Sequence, residues 1–151
     1  MADQFTPAER SGIMRRVLST GNRATEARMA QLFVQHGIKG WRRRWPAFGK
    51  PDFVFPQRRL AIFIDGCFWH GCPQHCRKPA SNQSYWLPKL QRNRRRDLLV
   101  TRTLRAKGWR VLRIWEHELR RANEAALVRR LRRAISRERR CLNVTGGATA
   151  A

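Results

Sequence analysis

The chain has 151 residues, enough for one domain with a core of its own. Thirty-three Lys and Arg stand against ten Asp and Glu, a formal charge of +23 and an isoelectric point near 11.9, so the expected partner is a polyanion, and nucleic acid is the usual one. No run is apolar enough to span a bilayer and no secretory apolar region follows Met1, which speaks against a membrane or exported protein and leaves the cytoplasm as the expected setting.

Residues 1–22 read as a polar, basic N-terminal arm with a short helix, its apolar stripe being Ile13, Met14, Val17 and Leu18. Residues 23–36 read as a helix, because Met29, Leu32, Phe33 and His36 recur at helical spacing. Glu26 lies one turn before that stripe and can point its carboxylate toward the body of the protein. A basic aromatic loop over 40–50 follows. Pro51 to Phe55 predicts a short strand, Pro56 to Arg59 a turn, and Leu60 to Ile64 a nearly continuous apolar strand buried on both faces.

The helix predicted over 84–107 sets Trp86, Leu90, Asn93, Asp97, Val100 and Leu104 on one face. Asn93 and Asp97 are polar members of an apolar stripe. They need partners, either a basic group in the core or the functional site. The opposite face, with Arg92, Arg94 and Arg95, reads as basic and solvated. Gly108 ends the helix, Trp109 to Trp115 predicts a third strand, and a last amphipathic helix spans roughly 121–139 with Leu127, Leu131 and Ile135 inward. The residues over 141–151 read as a disordered tail. The element order predicts an α/β domain over 23–140, a mixed sheet flanked by helices.

The densest chemistry lies between Asp65 and Cys76, which holds three of the four cysteines and two of the four histidines. Clustered thiols and imidazoles in an intracellular chain read as a zinc knuckle rather than as disulfides. Cys67, Cys72 and His75 supply three ligands. The fourth is either Cys76 or a distant residue, and His117 is the best distant candidate, because it ends a strand that can lie beside the second one. Adjacent residues rarely bind one tetrahedral ion, which disfavours Cys76. His70 is left over: either a structural histidine or a general acid–base group. Phe68 and Trp69 either pack the knuckle onto the sheet or wedge between base pairs.

Pro51-Asp52 opening one strand, with Asp65 ending the next, is the outline of restriction-type nucleases of the PD-(D/E)xK kind. In these, carboxylates from two strands hold Mg²⁺ against a phosphate. The lysine such a motif carries two residues after the second acid is here Cys67.

Together, Pro51-Asp52-Phe53-Val54, Ile62 to Pro73, Trp86, Lys89, Asn93, Arg96-Asp97, Gly108 to Leu112 and Trp115 to Leu119 closely resemble the very short patch repair (Vsr) DNA mismatch endonucleases, with Met14-Arg15 and Glu26 also in register. The resemblance implies a monomeric, Mg²⁺-dependent endonuclease with a restriction-type fold and a structural zinc. It implies nicking 5′ to the T of a T:G mismatch left by deamination of 5-methylcytosine, in a bacterial, nucleoid-associated setting. Mismatch-repair proteins are a further implied partner class.

Carried over by position, Asp52 is the central metal-binding aspartate, His70 the catalytic histidine and Glu26 a glutamate near the site. Phe68 and Trp69 are intercalating aromatics, Met14 an N-terminal wedge, and Arg15, Lys89 and Asn93 further DNA contacts. The metal site implied is Asp52 with Asp65 and the carbonyl of Ile64. A well-known member has histidine, threonine and cysteine where this chain has Asp65, Ile64 and His117, so Asp65 either binds metal or orients His70. The rival reading, a zinc-stabilised nucleic-acid-binding module without catalysis, has no use for Asp52, Asp65 and His70.

Overall fold

The computed structural model describes residues 23–76, 80 and 82–137. The expected N-terminal arm with Met14 and Arg15, and the expected tail over 141–151, lie outside the described residues. Helix α1 (residues 23–35) leads into a loop, then β1 (Phe53–Phe55), a 3₁₀ turn (Pro56–Arg58) and β2 (Leu60–Asp65). The cysteine-rich knuckle follows, then α2 (Gln83–Ala106), β3 (Arg110–Trp115), two 3₁₀ turns (Glu116–Leu119 and Arg121–Asn123) and α3 (Glu124–Ser136).

The sheet is mixed, in the order β1-β2-β3. β1 pairs antiparallel with β2, Phe53 opposite Ile62, and β3 pairs parallel with β2, Ile62 opposite Leu112 and Asp65 opposite Trp115. Since side chains alternate across a strand, β2 sends Leu60 and Ile62 to one face and Ala61, Phe63 and Asp65 to the other. The first face packs under α1 and α3 with Met29, Phe33, Leu127 and Leu131. The second packs under α2 with Val100 and Leu104. A three-layer α/β/α arrangement results, and the central strand is buried along almost its whole length.

Parallel pairing of β2 and β3 sets the position of the site. Both strands end at the same edge, so the residues that follow each of them meet there. α2, crossing between the two strands, runs over that edge with Asp97 turned inward.

Helix α1 stops one residue short of the sequence expectation. Gly37, at φ +63°, closes it: its N–H donates to Val34 O at 3.2 Å and the Ile38 N–H to Phe33 O at 2.8 Å. This is a Schellman cap, completed by Ile38 joining Phe33 in the core. His36 therefore leaves the apolar stripe and pairs its Nε2 with Glu124 Oε1 at 2.8 Å. The last helix starts later than expected, because the chain after β3 first makes the two 3₁₀ turns. Glu118 Oε2 accepts from the Trp115 N–H at 2.8 Å, which turns the chain and presents His117.

Candidate active site

At the edge where β2 ends, a cleft of about 390 Å³ is lined by Asp52, Ile64, Asp65, Trp69, His70, Lys89, Asn93 and Asp97, among others. Asp52 enters from the bend before β1 and is fixed by the Ile64 N–H, which donates to its Oδ2 at 2.7 Å. Burial pushes the Asp52 carboxyl up to about 6, against the pull of that hydrogen bond, and the nearby charges of Glu26 and Asp65 add to the rise. Such a carboxyl takes up a cation readily, since a cation relieves the desolvation of its ionised form.

Asp65 is buried, 5% exposed. Arg113, two register steps short of the Asp65–Trp115 pair on β3, donates from Nε to Asp65 Oδ2 at 2.9 Å. Burial raises the Asp65 carboxyl while Arg113 and His70 oppose the rise. The guanidinium also reaches Asp97 Oδ1 from Nη2 at 2.7 Å and lies over the Phe63 ring, 4.9 Å from its centre.

His70 Nδ1 meets Asp97 Oδ2 at 2.5 Å, whereas Asp65 Oδ1 is 3.7 Å away. Asp97, not Asp65, is thus the carboxylate hydrogen-bonded to this imidazole. Burial lowers the histidine, but the Asp97 bond and the Asp65 charge outweigh it and hold His70 above its ordinary value. Asp97 shows the converse: burial raises it, and its bonds to His70 and Arg113 carry it below the usual carboxylate range. With Nδ1 engaged, Nε2 is the nitrogen left for a substrate.

Glu26 faces an adjoining hollow of about 820 Å³ that Asp52 also lines, and it pairs with Arg43 of the basic loop. It stands beside the cleft rather than in it. Gly49, at φ +78°, lets the loop lie against α2; a Cβ there would sit 2.3 Å from Val100 Cγ1. That contact brings Pro51-Asp52 to the cleft wall.

Beside the cleft, Cys67, Cys72, His75 and His117 bring one donor atom each to within 4.8 Å of one another. Cys67 Sγ is 3.2 Å and Cys72 Sγ 3.7 Å from His117 Nδ1, and Cys72 Sγ is 3.8 Å from His75 Nδ1. Donors at the corners of a tetrahedron around zinc stand about 3.3–3.8 Å apart, given Zn–S and Zn–N bonds near 2.3 and 2.0 Å. The quartet fits such an ion in both donor type and spacing. Cys76 instead turns its Sγ to the Phe68 carbonyl at 3.8 Å.

Phe68 and Trp69, between quartet and cleft, stack edge-on at 5.1 Å, and Trp86 of α2 joins them at 5.4 and 5.9 Å. Lys89 Nζ lies over the rings of Trp69, Tyr85 and Trp86. Asn93 Nδ2 donates to the Trp69 carbonyl at 3.0 Å. Sequence reasoning left Arg113 out of the site and offered Asp97 only as a polar misfit bound for either a basic core group or the functional site. The signal for Asp97 was its place in an apolar helix face. That for Arg113 was a cation at an inward strand position beside Val111.

The family model described as DNA mismatch endonuclease Vsr matches residues 2–78. Type II nicking enzyme V.NaeI of Lentzea aerocolonigenes is 61% identical over 69 residues, covering 46% of this chain and 42% of that protein. Type II nicking enzyme V.XorIIP of Xanthomonas oryzae pv. oryzae is 39% identical over 138 residues, 89% of this chain and 98% of that protein. DNA mismatch endonuclease Vsr of Escherichia coli K12 is 38% identical over 144 residues, 91% of this chain and 90% of that protein. A carboxylate-lined cleft in an α/β frame, with relatives of this kind, defines the class: the protein is a DNA endonuclease. Within that class, the chain belongs to the Vsr family of mismatch endonucleases.

Proposed function

We propose that this enzyme nicks one strand of duplex DNA on the 5′ side of the thymine in a T:G mismatch. It works as a Mg²⁺-dependent monomer on a restriction-type scaffold clamped by zinc. One juxtaposition carries the reading: His70 directly follows Trp69 on the knuckle, and both line the cleft that holds Asp52. The group that handles a proton and the ring that can enter the base stack are then one residue apart.

Asp52, with the Ile64 carbonyl and the Asp65 oxygen that Arg113 leaves free, would hold Mg²⁺. When bound, the ion offsets charge on the scissile phosphate and lowers the pKa of a water. In phosphodiester hydrolysis the attacking water loses a proton and the leaving deoxyribose oxygen gains one. His70 Nε2 would move one of these protons, with Asp97 holding the ring through Nδ1. Arg113 holds the two aspartates that flank the histidine. Glu26, in the adjoining hollow, adds negative charge that favours a cation at Asp52.

Cys67, Cys72, His75 and His117 would hold a zinc that contributes to folding. Phe68 and Trp69 would insert beside the mispair, where opening the stack of a wobble pair costs less than opening a Watson–Crick pair. Lys89 and Asn93 line the same cleft, and Met14 and Arg15 would reach the duplex from the N-terminal arm. The basic surface alone would bind any duplex.

The test is a nicking assay on T:G and matched duplexes, with and without divalent metal. One cut in the thymine strand, on the T:G duplex alone and only with metal, is expected. Equal cutting of matched DNA would overturn the mismatch reading, and full activity in chelator the metal reading. Trp69→Ala that retains zinc should lose T:G preference while keeping affinity for matched duplex.

A further inference from the structure

Three successive knuckle residues are each held by α2. Asn93 donates to the Trp69 carbonyl at 3.0 Å, Asp97 meets the His70 ring at 2.5 Å, and Arg94 Nη2 donates to the Gly71 carbonyl at 2.9 Å. Asn93 and Asp97 belong to the inward face of α2. Arg94 does not: by sequence it sits among solvated arginines, with Arg92 and Arg95 on the basic face. Its guanidinium nevertheless turns back against the knuckle backbone. A Cβ on Gly71 would lie 2.3 Å from Arg94 Nη2, and Gly71 itself is left-handed at φ +67°. The bond and the close packing describe one contact, the Arg94 guanidinium seated against the Gly71 backbone.

Gly71 is the hinge between two devices. His70 of the cleft precedes it, and Cys72 of the cysteine–histidine quartet follows it. A glycine there gives the peptide plane between Gly71 and Cys72 no side chain of its own to restrain it, and the Cys72 N–H of that plane donates to Cys67 O at 2.9 Å. The charge-assisted hydrogen bond from Arg94 holds the carbonyl side of the same plane. We infer that Arg94 is a positioning residue for strand cleavage, which fixes the Gly71 carbonyl and thereby holds the His70 imidazole in register with Asp97 and the cleft. This rests on the proposed role of His70. It adds that one arginine of the basic face serves geometry and not DNA affinity.

A misplaced catalytic group slows chemistry without weakening substrate binding, and small displacements are costly. A phosphate-binding arginine does the reverse: its loss raises KM and flattens the salt dependence of binding. Arg94→Ala should therefore lower kcat about tenfold on T:G duplex, with KM within about twofold of wild type and an unchanged salt slope. Zinc content and Tm should hold. Gly71→Ala, which collides with the guanidinium, should lower kcat further. The double variant should be no slower than Gly71→Ala alone, because coupled residues are not additive. Arg94→Lys, which keeps a donor, should recover part of the rate and guards against a folding artefact.

Wild-type enzyme run in parallel separates the two levels: a wild type that nicks no duplex defeats the proposed function. The inference is then still read by NMR of the His70 ring. Its Nδ1 proton, hydrogen-bonded to Asp97, should be visible in the wild type and lost or broadened in Arg94→Ala. Unchanged kcat with raised KM, additive single and double variants, or an undisturbed ring proton would each overturn the positioning role.

Discussion

Two polar clusters sit side by side at one edge of the sheet, and they are built on opposite principles. The cysteine–histidine quartet gathers four donor atoms within 4.8 Å of one another, a spacing that could hold a metal ion. The cleft is largely self-satisfied: Asp65, His70, Asp97 and Arg113 neutralise one another through bonds of 2.5 to 2.9 Å. Asp52 alone is left with burial and no cationic hydrogen-bond partner among the described residues, and its carboxyl is pushed up to about 6. With a metal bound, the quartet would be a clamp; the cleft is a pre-formed charge network around one buried acid. Stability should depend on the first and activity on the second.

The largest expected effect separates them at once. Asp52→Ala should drop nicking below detection while affinity for mismatched duplex stays within a few-fold, since no DNA-binding cation is lost; gel shift and single-turnover nicking measure both. Wild-type cutting by this variant would remove Asp52 from the reaction. Cys67→Ala should do the opposite, releasing zinc by elemental analysis and unfolding much of the protein, because a structural site's binding energy is folding energy. Cys76→Ala, whose sulfur faces the Phe68 carbonyl, should keep both zinc and Tm.

His70→Ala should slow nicking by about 10²–10⁴-fold with zinc retained. Loss of zinc in this variant would merge the two clusters into one. The smallest effect is on stability. The folded state raises Asp52 from 3.8 to about 6, so between those values it holds a proton that the unfolded chain has released. Stability from this group is thus intact below about pH 4 and lost as pH rises through 6, a loss of about 3 kcal/mol at neutrality. Asp52→Asn should therefore melt higher than wild type at pH 7 without divalent metal, and the gap should close toward pH 4. An equal gap at both pH values would show that Asp52 is not the strained acid.

Much of this contrast was legible in the sequence. Cys67, Cys72 and His75 lie close along the chain, and His117 followed from the chance that two strands run side by side. The unbroken apolar run of β2 marked a central strand. Asp97 could be singled out as a misfit on an apolar helix face, but its partner could not, because His70 reaches it only after the crossover of α2. Arg113 was lost among 33 basic residues, and nothing local distinguishes an arginine that ties two aspartates together from one that faces water. His36 was misplaced for a related reason. Helical spacing admits it, and only the backbone turn at Gly37 removes it.

Cys67 and His117, whose donor atoms stand 3.2 Å apart, are separated by 50 residues of chain. The half-sites on the knuckle are local, but the last one arrives only when β3 has docked parallel to β2. Closing so long a loop costs entropy, and parallel pairing is intrinsically slow. A metal held by this quartet would therefore be captured late in folding, as a latch rather than a nucleus. A nascent chain would carry His70, Cys67, Cys72 and His75 before His117 arrives to complete the group. Until then those thiols would stay open to oxidation or to another ion.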